Sequence, residues 1–431
     1  MSSDETSEVT GDRWRVIGSG IVGNVLEWYD FALYGYLAPV TATLFFPSKD
    51  PLVSLVQSFA VFAVGSLARP IGGLLLGRVG DRLGRRALLM LSAVLMGAPT
   101  FLMGLLPTYA SVGIMAPILL VLLRLMQGLS AGGEFTGSIT FLVEHAPRRR
   151  QGLYGSFSNV GAMMGGLLGA GAGWLTTSSI GTEALHDWGW RIPFLSGIVV
   201  SACGFFIRLR VPDSPTYLRL KGQGALVRRA TWTTFQKHFK PMAVTVGLNW
   251  VVSAGYYVVF VWLVTDLSKV AGVALHTALG VGTLGLMFGL FCTLLMGQLS
   301  DIVGQRRVLV AGTLATAIAV IPLLLLADQG TLLSAVAAQL GLALVVSCFL
   351  GTLPAVFVSL FPADVRCSAL SVGYNITIAL FGGTAPLVAT YLVKATGWSA
   401  APGIYLAATA LICLALVPLV PEASSDQSPC R

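Results

Sequence analysis

The sequence predicts an all-α membrane protein with twelve transmembrane helices in two pseudo-symmetric six-helix bundles. Three observations predict this fold: few charged residues, twelve long apolar runs, and a loop motif that recurs in the second half. Of the 431 residues, 55% are hydrophobic and 11% are charged, whereas soluble proteins carry about 25% charged residues. Such a chain has too little polar surface for a water-soluble particle, so its apolar side chains must face lipid.

Each apolar run is long enough to cross a bilayer, because a spanning helix needs about 20 residues. The predicted spans are 16–46, 54–77, 87–106, 113–143, 152–177, 191–209, 241–265, 274–299, 307–327, 331–359, 367–393 and 399–420. The widest polar interruption, from Arg208 to Lys240, divides them six and six. The predicted organisation is a tail at 1–15, a bundle at 16–209, a linker at 210–240, a bundle at 241–420 and a tail at 421–431.

Lysines and arginines are distributed unequally between the two sets of loops. Clusters such as Arg148 to Arg150 fall on the side of the N-terminus, and the other loops carry only Lys49, Arg191, Lys269 and Lys394. The positive-inside rule then places both termini in the cytoplasm. The segment Met1 to Asp12 has no features of a cleaved signal peptide, so we expect the first apolar run to be retained. The basic clusters are short and lie between apolar runs, so we expect no nucleic-acid partner.

The two halves repeat one another. A motif from Gly77 to Arg86 follows span two, and a related motif from Gly297 to Arg307 follows span eight, at an offset of 297 − 77 = 220. A second match relates Asn159 to Asn375, at an offset of 375 − 159 = 216. Two independent matches at nearly one offset indicate two halves of common ancestry, as in alternating-access carriers.

The segment Gly77 to Arg86 matches G-x-x-x-D-R-x-G-R-R, the signature of the major facilitator superfamily. Further stretches narrow the resemblance: Gly23 to Phe31, Arg69 to Gly73, Gln127 to Glu134, and Asp187 to Phe194. Over nearly the whole chain, the sequence resembles the metabolite:proton symporters, which include proline/betaine, α-ketoglutarate, citrate and shikimate carriers. The stretches at Glu134 to Thr136 and Asp187 to Phe194 resemble the proline/betaine branch. The second loop motif departs from the pattern, with Ile302 and Gln305 in place of Arg82 and Arg85.

Charged side chains inside spans are candidates for function, because each costs about 2.5–3.5 kcal/mol on insertion scales. Glu27 and Asp30 lie three residues apart on one face of span one, and Tyr34 lies one turn further. Two carboxylates close together in a low dielectric cannot both stay ionised cheaply, so one can load and release a proton. The alternative is that Glu27 is a fixed partner for an arginine.

Span four carries Arg124, with Gln127 and Glu134 on the same broad face. Arginine keeps its proton and therefore needs an anion, which could be Asp30, Glu27 or a substrate carboxylate. A residue that exchanges a protein carboxylate for a substrate would provide coupling, whereas a permanent ion pair would be structural. Glu134 is a second candidate proton site, or a residue paired near the cytoplasmic end.

Aromatic and neutral polar residues complete the candidate substrate site. Aromatic rings can hold a quaternary ammonium group by cation–π attraction, although most such rings are core or interface anchors. The substrate-binding candidates are Arg124, Tyr34, Gln127, Trp28, Tyr256, Tyr257, Asn249 and Asn375. The gating candidates are Gly77, Asp81, Arg82, Gly84, Arg85, Arg86, Asp301 and Arg306. Asp81 is predicted to pair with arginines or with the N-terminal end of a facing helix.

These features predict proton-coupled uptake of a small carboxylate-bearing or zwitterionic metabolite across the bacterial inner membrane. Two alternatives remain: efflux by proton antiport, and a membrane sensor that moves no solute. The sequence shows no nucleophile–base arrangement of an enzyme, no phosphate-binding loop for ATP and no metal-ligand pattern. We therefore expect no cofactor, a proton gradient as the energy source, and a monomer in the lipid bilayer whose partners are substrate and proton.

Overall fold

The computed structural model describes residues 3–49, 51–180, 182–209, 213, 215–223, 236–269 and 275–421. Within them, twelve helices correspond to the twelve predicted spans. They are α1 (Ser3–Phe45), α2 (Pro51–Arg82), α3 (Arg85–Leu105), α4 (Met115–His145), α5 (Gln151–Ser179), α6 (Arg191–Leu209), α7 (Phe239–Tyr257), α8 (Leu275–Val303), α9 (Gln305–Ala327), α10 (Leu332–Ser359), α11 (Arg366–Thr377) and α12 (Ala401–Leu416). Among these residues, nine helical stretches are long and apolar enough to cross a membrane. The prediction of an all-α membrane fold is confirmed.

Three helices differ from the predicted spans. Helix α1 begins at Ser3, so it extends into the segment predicted as a polar tail. Helix α7 continues through a π-helical turn at Val258–Trp262 into a short helix at Leu263–Lys269. Helix α11 likewise runs into a π-helical turn at Ile378–Gly382 and resumes only at Ala385–Thr396. Hydropathy reports length and polarity, so it cannot distinguish one continuous helix from two that meet at a π-turn.

The chain divides into two compact units by contact. The first comprises residues 1–145, 160–236 and 363–379, and the second comprises 146–159, 237–362 and 380–431. Each unit therefore contains one short piece from the other half of the sequence. The start of α11 belongs to the first unit, and the start of α5 belongs to the second.

Glycines allow close helix contacts within the first unit. A Cβ at Gly161 would lie 2.7 Å from the backbone oxygen of Ile21, and one at Gly169 would lie 2.6 Å from that of Tyr29. Helices α1 and α5 therefore meet backbone to backbone at these glycines, as expected for small residues spaced at multiples of four. Gly132 of α4 approaches α2 more closely still, because a Cβ there would clash with the backbone oxygen of Arg69.

The second unit is built from α7, α8, α9, α10 and α12. Helix α10 packs against α8 and α9, and α12 packs against α7 and α9. A Cβ at Gly351 of α10 would lie 2.6 Å from the amide nitrogen of Gly297 of α8, so these two helices also meet through small residues.

Candidate functional site

The first unit contains a buried polar cluster around Asp30. Arg124 NH1 donates to Asp30 Oδ2 at 2.5 Å, and Gln127 Nε2 donates to Asp30 Oδ1 at 2.8 Å. The Thr100 hydroxyl donates to the same Oδ1 at 3.1 Å. Helices α1, α3 and α4 thus surround one carboxylate with a cation, an amide and a hydroxyl.

The Arg124 guanidinium has three types of partner. It donates to Gln127 Oε1 at 2.8 Å as well as to Asp30. The Tyr34 ring covers its flat face, with Cζ 3.8 Å from the ring centroid. The Tyr34 hydroxyl in turn donates to the Ser58 backbone oxygen at 3.0 Å, which fixes the ring. The predicted set of Asp30, Tyr34, Arg124 and Gln127 is therefore brought together in one place.

The Asp30–Arg124 ion pair is almost fully shielded from solvent, since the two side chains are 1% and 2% exposed. The free energy needed to remove two charges from water offsets much of their electrostatic attraction. A buried ion pair therefore does not stabilise the fold merely because it is buried. Removal of one partner leaves an uncompensated charge and costs about 3–5 kcal/mol. Such a pair is therefore sensitive to protonation of the carboxylate or to arrival of a competing anion.

A second ion pair lies one turn away on α1. Glu27 Oε1 accepts a hydrogen bond from Arg69 NH2 of α2, and both side chains are buried. The Phe31 ring lies against the same guanidinium, with its centroid 5.2 Å from Cζ. Glu27 is thus paired with a neighbouring arginine through one of its two carboxylate oxygens.

Glu134 lies further along α4. The Ser92 hydroxyl of α3 donates to Glu134 Oε2, and the hydroxyl of Ser130 donates to the backbone oxygen of Ser92 at 2.7 Å. Glu134 is 2% exposed. A carboxylate is thus held inside the helix bundle between α3 and α4.

The loop motif after α2 caps the start of α11 within the first unit. Asp81 Oδ1 accepts from the amide of Cys367 at 3.1 Å, and Oδ2 accepts from the amide and the hydroxyl of Ser368 at 2.9 and 2.6 Å. A negative charge at a helix N-terminus satisfies free amides and meets the positive end of the helix dipole. Asp81 lies beyond the predicted span 54–77. Burial raises the pKa of its carboxyl group, whereas the charge of Arg85 and the hydrogen bonds from Ser368 and Cys367 lower it. A Cβ at Gly77 would lie 2.7 Å from Ser368 Cα, so this contact requires glycine.

Arginines extend this cap into a network. Arg85 NH1 donates to Gly80 O at 2.6 Å and to Asp81 at 3.1 Å, and NH2 donates to Ala363 O at 2.8 Å. Glu144 accepts from Arg85 at 3.4 Å and from Arg366 at 2.7 Å.

The turn between α2 and α3 also contacts the first residues of the linker. Gly84 has a φ of 107°, which favours glycine, and Asp213 accepts from the amide of Arg85 at 2.8 Å. Arg86 donates to Leu209 O at 2.5 Å, and the exposed Arg82 accepts on its backbone oxygen from Tyr217 at 3.0 Å.

The second loop motif makes the corresponding contact in the second unit. Asp301 Oδ1 accepts from the amide of Gly152 at 2.7 Å, and Oδ2 accepts from the amide of Leu153 at 2.8 Å. These amides form the start of α5. Arg306 instead donates to Val420 O through Nε at 2.7 Å, at the end of the segment that follows α12.

The remaining substrate candidates lie in several places. Trp28 is half-buried beside Gly165, and Asn375 Nδ2 donates to Gly132 O at 2.6 Å and to Ser371 O at 2.7 Å. Asn249 is buried in α7 of the second unit. Tyr256 makes edge contact with Tyr257 at 5.7 Å between ring centroids. Contacts within each unit therefore account for the packing of these side chains.

Sequence reasoning missed several contributors. Thr100, Ser92 and Glu144 complete the polar contacts. Hydroxyls in apolar runs give no distinguishing signal, because serine and threonine often bond only to their own helix. A signal did exist for Glu144, which stands ten residues after Glu134 in the last turn of α4.

Among the residues that the structure describes, no group of three or more histidine, cysteine, aspartate or glutamate side chains is placed to hold a metal ion. The expectation that the protein needs no cofactor stays a prediction.

Comparison with protein families gives two matches. Residues 19–231 match the family described as "Sugar (and other) transporter", and residues 248–429 match the Major Facilitator Superfamily. The chain is 34% identical over 411 residues to a proline/betaine transporter of Salmonella typhimurium, covering 92% of this chain and 81% of the relative. It is 32% identical over 390 residues to a citrate-proton symporter of Klebsiella pneumoniae, covering 90% of this chain and 87% of the relative.

Comparison with solved structures gives a similar fold. The proton:xylose symporter XylE bound to 6-bromo-6-deoxy-D-glucose superimposes with a TM-score of 0.81, covering 96% of this chain and 97% of that protein. The two sequences are only 19% identical, so this similarity concerns the fold.

Proposed function

Because the chain belongs to the major facilitator superfamily and, within it, to the metabolite:proton symporters, we propose that it takes up a small carboxylate-bearing or zwitterionic metabolite together with a proton. Its relatives are membrane transporters. The substrates of these two relatives, proline or betaine and citrate, share a carboxylate group. The observation that carries the proposal is the buried Asp30–Arg124 ion pair.

The pair offers a physical mechanism for coupling. When a proton neutralises Asp30, Arg124 loses its anion in a low-dielectric site and gains affinity for a substrate carboxylate. When the substrate leaves, Asp30 releases the proton and pairs with Arg124 again. Substrate and proton therefore favour the same state, which is the differential interaction that symport requires.

The Asp30 partners prepare this exchange. Gln127 donates to Asp30 through Nε2 and accepts from Arg124 through Oε1, so it fixes the positions of the two side chains relative to each other. Tyr34 packs flat on the Arg124 guanidinium and limits its movement.

The helix caps suit an alternating-access cycle. Asp81 holds the start of α11, and Asp301 holds the start of α5, through bonds to backbone amides. We propose that these charge-assisted bonds break and re-form as the cavity opens to each side of the membrane in turn. Gating by this motif fits its position at the ends of α2 and α8.

Substitution Asp30→Asn tests the mechanism. Asparagine cannot give up a proton to restore the ion pair, so the variant should lose proton-driven accumulation by about a hundredfold or more. The measurement is uptake of proline, glycine betaine and citrate into proteoliposomes with an imposed pH gradient, alongside the change of internal pH. Acidification of the interior on substrate addition indicates symport, and alkalinisation indicates antiport.

Asp187→Asn is the matched control, since Asp187 is exposed in a turn before α6. It should accumulate substrate as the unchanged protein does. Full accumulation by Asp30→Asn, with normal amounts of protein in the vesicles, would remove Asp30 from the mechanism.

A further inference from the structure

We propose that Glu134 is the last proton-binding residue on the path to the cytoplasm. The proton passes from Asp30 to Glu27, then to Glu134, and from Glu134 to the cytoplasm. This inference rests on the proton symport proposed above. It assigns distinct tasks to the three buried carboxylates of the first unit that lie within predicted spans: coupling to Asp30, transfer to Glu27 and release to Glu134.

Two polar layers cross the first unit at different depths. In the outer layer, Asp30 of α1 bonds to Thr100 of α3 and Gln127 of α4. In the inner layer, Ser92 of α3 bonds to Glu134 of α4. The same two helices therefore carry a hydroxyl and a polar partner in both layers.

The separation of the layers follows from helix geometry. Gln127 and Glu134 are seven residues apart, which corresponds to about 10.5 Å along α4 and returns the side chain to nearly the same face. Thr100 and Ser92 are eight residues apart, or about 12 Å along α3. Ser92 and Glu134, the inner-layer residues, therefore lie nearer to the ends of α3 and α4 that carry Arg85 and Glu144. These ends are on the side predicted to be cytoplasmic.

Glu27 lies between the layers. It stands three residues before Asp30, about 4.5 Å further toward the cytoplasmic end of α1. Its Oε1 pairs with Arg69, whereas Oε2 is buried and has no hydrogen-bond partner among the described residues. That oxygen can accept a proton while Oε1 keeps its hydrogen bond to Arg69, and the carboxyl group is then neutral.

Glu134 lies near this pair. Gly132, two residues before it on α4, touches the backbone of Arg69 on α2. The three carboxylates therefore lie on neighbouring helices of one unit, in a water-poor interior where electrostatic interactions are strong.

The transfer conserves protons and changes no other bond. The O–H bond of protonated Asp30 breaks as Glu27 Oε2 gains the proton, and the Asp30 carboxylate pairs with Arg124. Glu27 then gives the proton to Glu134, which releases it to water on the cytoplasmic side. Ser92 is a positioning residue, because its hydroxyl holds the Glu134 carboxylate between α3 and α4.

The substitution Glu134→Gln tests proton release separately from substrate binding and exchange. In proteoliposomes, accumulation of proline or glycine betaine under a pH gradient should fall by about tenfold or more. Exchange of labelled for unlabelled substrate at equal pH needs no net proton release, so it should fall much less. Glu134→Asp should restore part of the accumulation, and Ser92→Ala should shift its pH profile, which loss of packing alone would not do.

The matched control is Glu183→Gln, a similar change at an exposed position of the same unit, which should leave both assays unaffected. Full accumulation by Glu134→Gln with an unchanged pH profile would overturn the proposal. So would equal loss of exchange and accumulation in folded Glu134→Gln and Glu134→Asp, because Glu134 would then support the structure instead. Failure of the symport proposal is distinguishable, since the unchanged protein would then move no protons with its substrate.

Discussion

Arg124 bonds to the Asp30 carboxylate with its edge while the Tyr34 ring covers its face. A lysine could not do both, because its ammonium lacks the planar fork that bonds sideways and stacks. The arginine also keeps its charge throughout the cycle, so only its partner can change. Asp30 is therefore the member of the pair that responds to protons.

Asp266 is a titratable side chain outside the predicted spans, in the first turn of the short helix Leu263–Lys269. Burial, and then the charge of Asp328, raise the pKa of Asp266 from 3.8 to about 7. The folded protein therefore holds this proton more tightly than the unfolded chain does. The stabilisation is complete below the unfolded pKa near 4 and is lost as pH rises through about 7.

We expect Asp266→Asn to flatten this dependence. The unchanged protein in detergent should show a falling unfolding temperature between pH 5 and pH 8, and the variant should fall less and be the more stable of the two at pH 8. Thermal unfolding at several pH values provides the measurement. Asp328→Asn should give a smaller change in the same direction. Equal pH slopes for the unchanged protein and Asp266→Asn would contradict the prediction.

Among the elements, α5 and α11 share one arrangement. Each begins with free amides that an aspartate from a loop motif accepts, Asp301 for α5 and Asp81 for α11. The two aspartates are 301 − 81 = 220 residues apart, which equals the offset of the repeat. Common ancestry of the halves therefore extends from the sequence motif to its hydrogen bonds.

Helix α5 also provides a test of close packing. A Cβ at Gly165 would lie against the backbone oxygen of Val25 and 2.9 Å from Trp28 Cβ, both on α1. Gly165→Val should therefore force the helices apart at a cost of about 1–3 kcal/mol. The expected result is a lower unfolding temperature and less folded protein by size-exclusion chromatography.

The adjacent glycine is a matched control. A Cβ at Gly166 meets nothing within 4 Å, so Gly166→Val changes the same residue type at almost the same depth without a clash. It should behave like the unchanged protein. Equal destabilisation by both substitutions would show that helix propensity, rather than the α1–α5 contact, governs this segment.

At the scale of the whole molecule, the charge distribution predicts the orientation in the membrane. With an even number of spans and basic loops on the N-terminal side, we predict that both termini face the cytoplasm. A fluorescent protein that folds only in the cytoplasm should be bright when fused after Arg431. A phosphatase that is active only in the periplasm should be active when inserted after Lys49.

The converse fusions serve as controls, with the phosphatase after Arg431 inactive and the fluorescent protein after Lys49 dark. A bright protein at Lys49 would contradict the predicted orientation. Inner-membrane location, like the monomeric state, stays a prediction.

The sequence by itself determined the class, the approximate spans and the family. Twelve apolar runs require helices, because a chain in lipid must satisfy its backbone groups internally. It also identified Asp30, Arg124, Gln127 and Tyr34, because charged groups in apolar runs stand out and helical spacing places neighbours on one face. The Asp81 cap on a helix end was predicted from its motif.

Only the tertiary structure decided which charges pair. Glu27 and Asp30 share a face of α1, yet Glu27 pairs with Arg69 of α2 and Asp30 with Arg124 of α4. The sequence left both arginines open as partners, because pairing depends on which helices meet. It also gave no reason to select Ser92 or Thr100, since a hydroxyl becomes a ligand only when another helix brings a carboxylate to it.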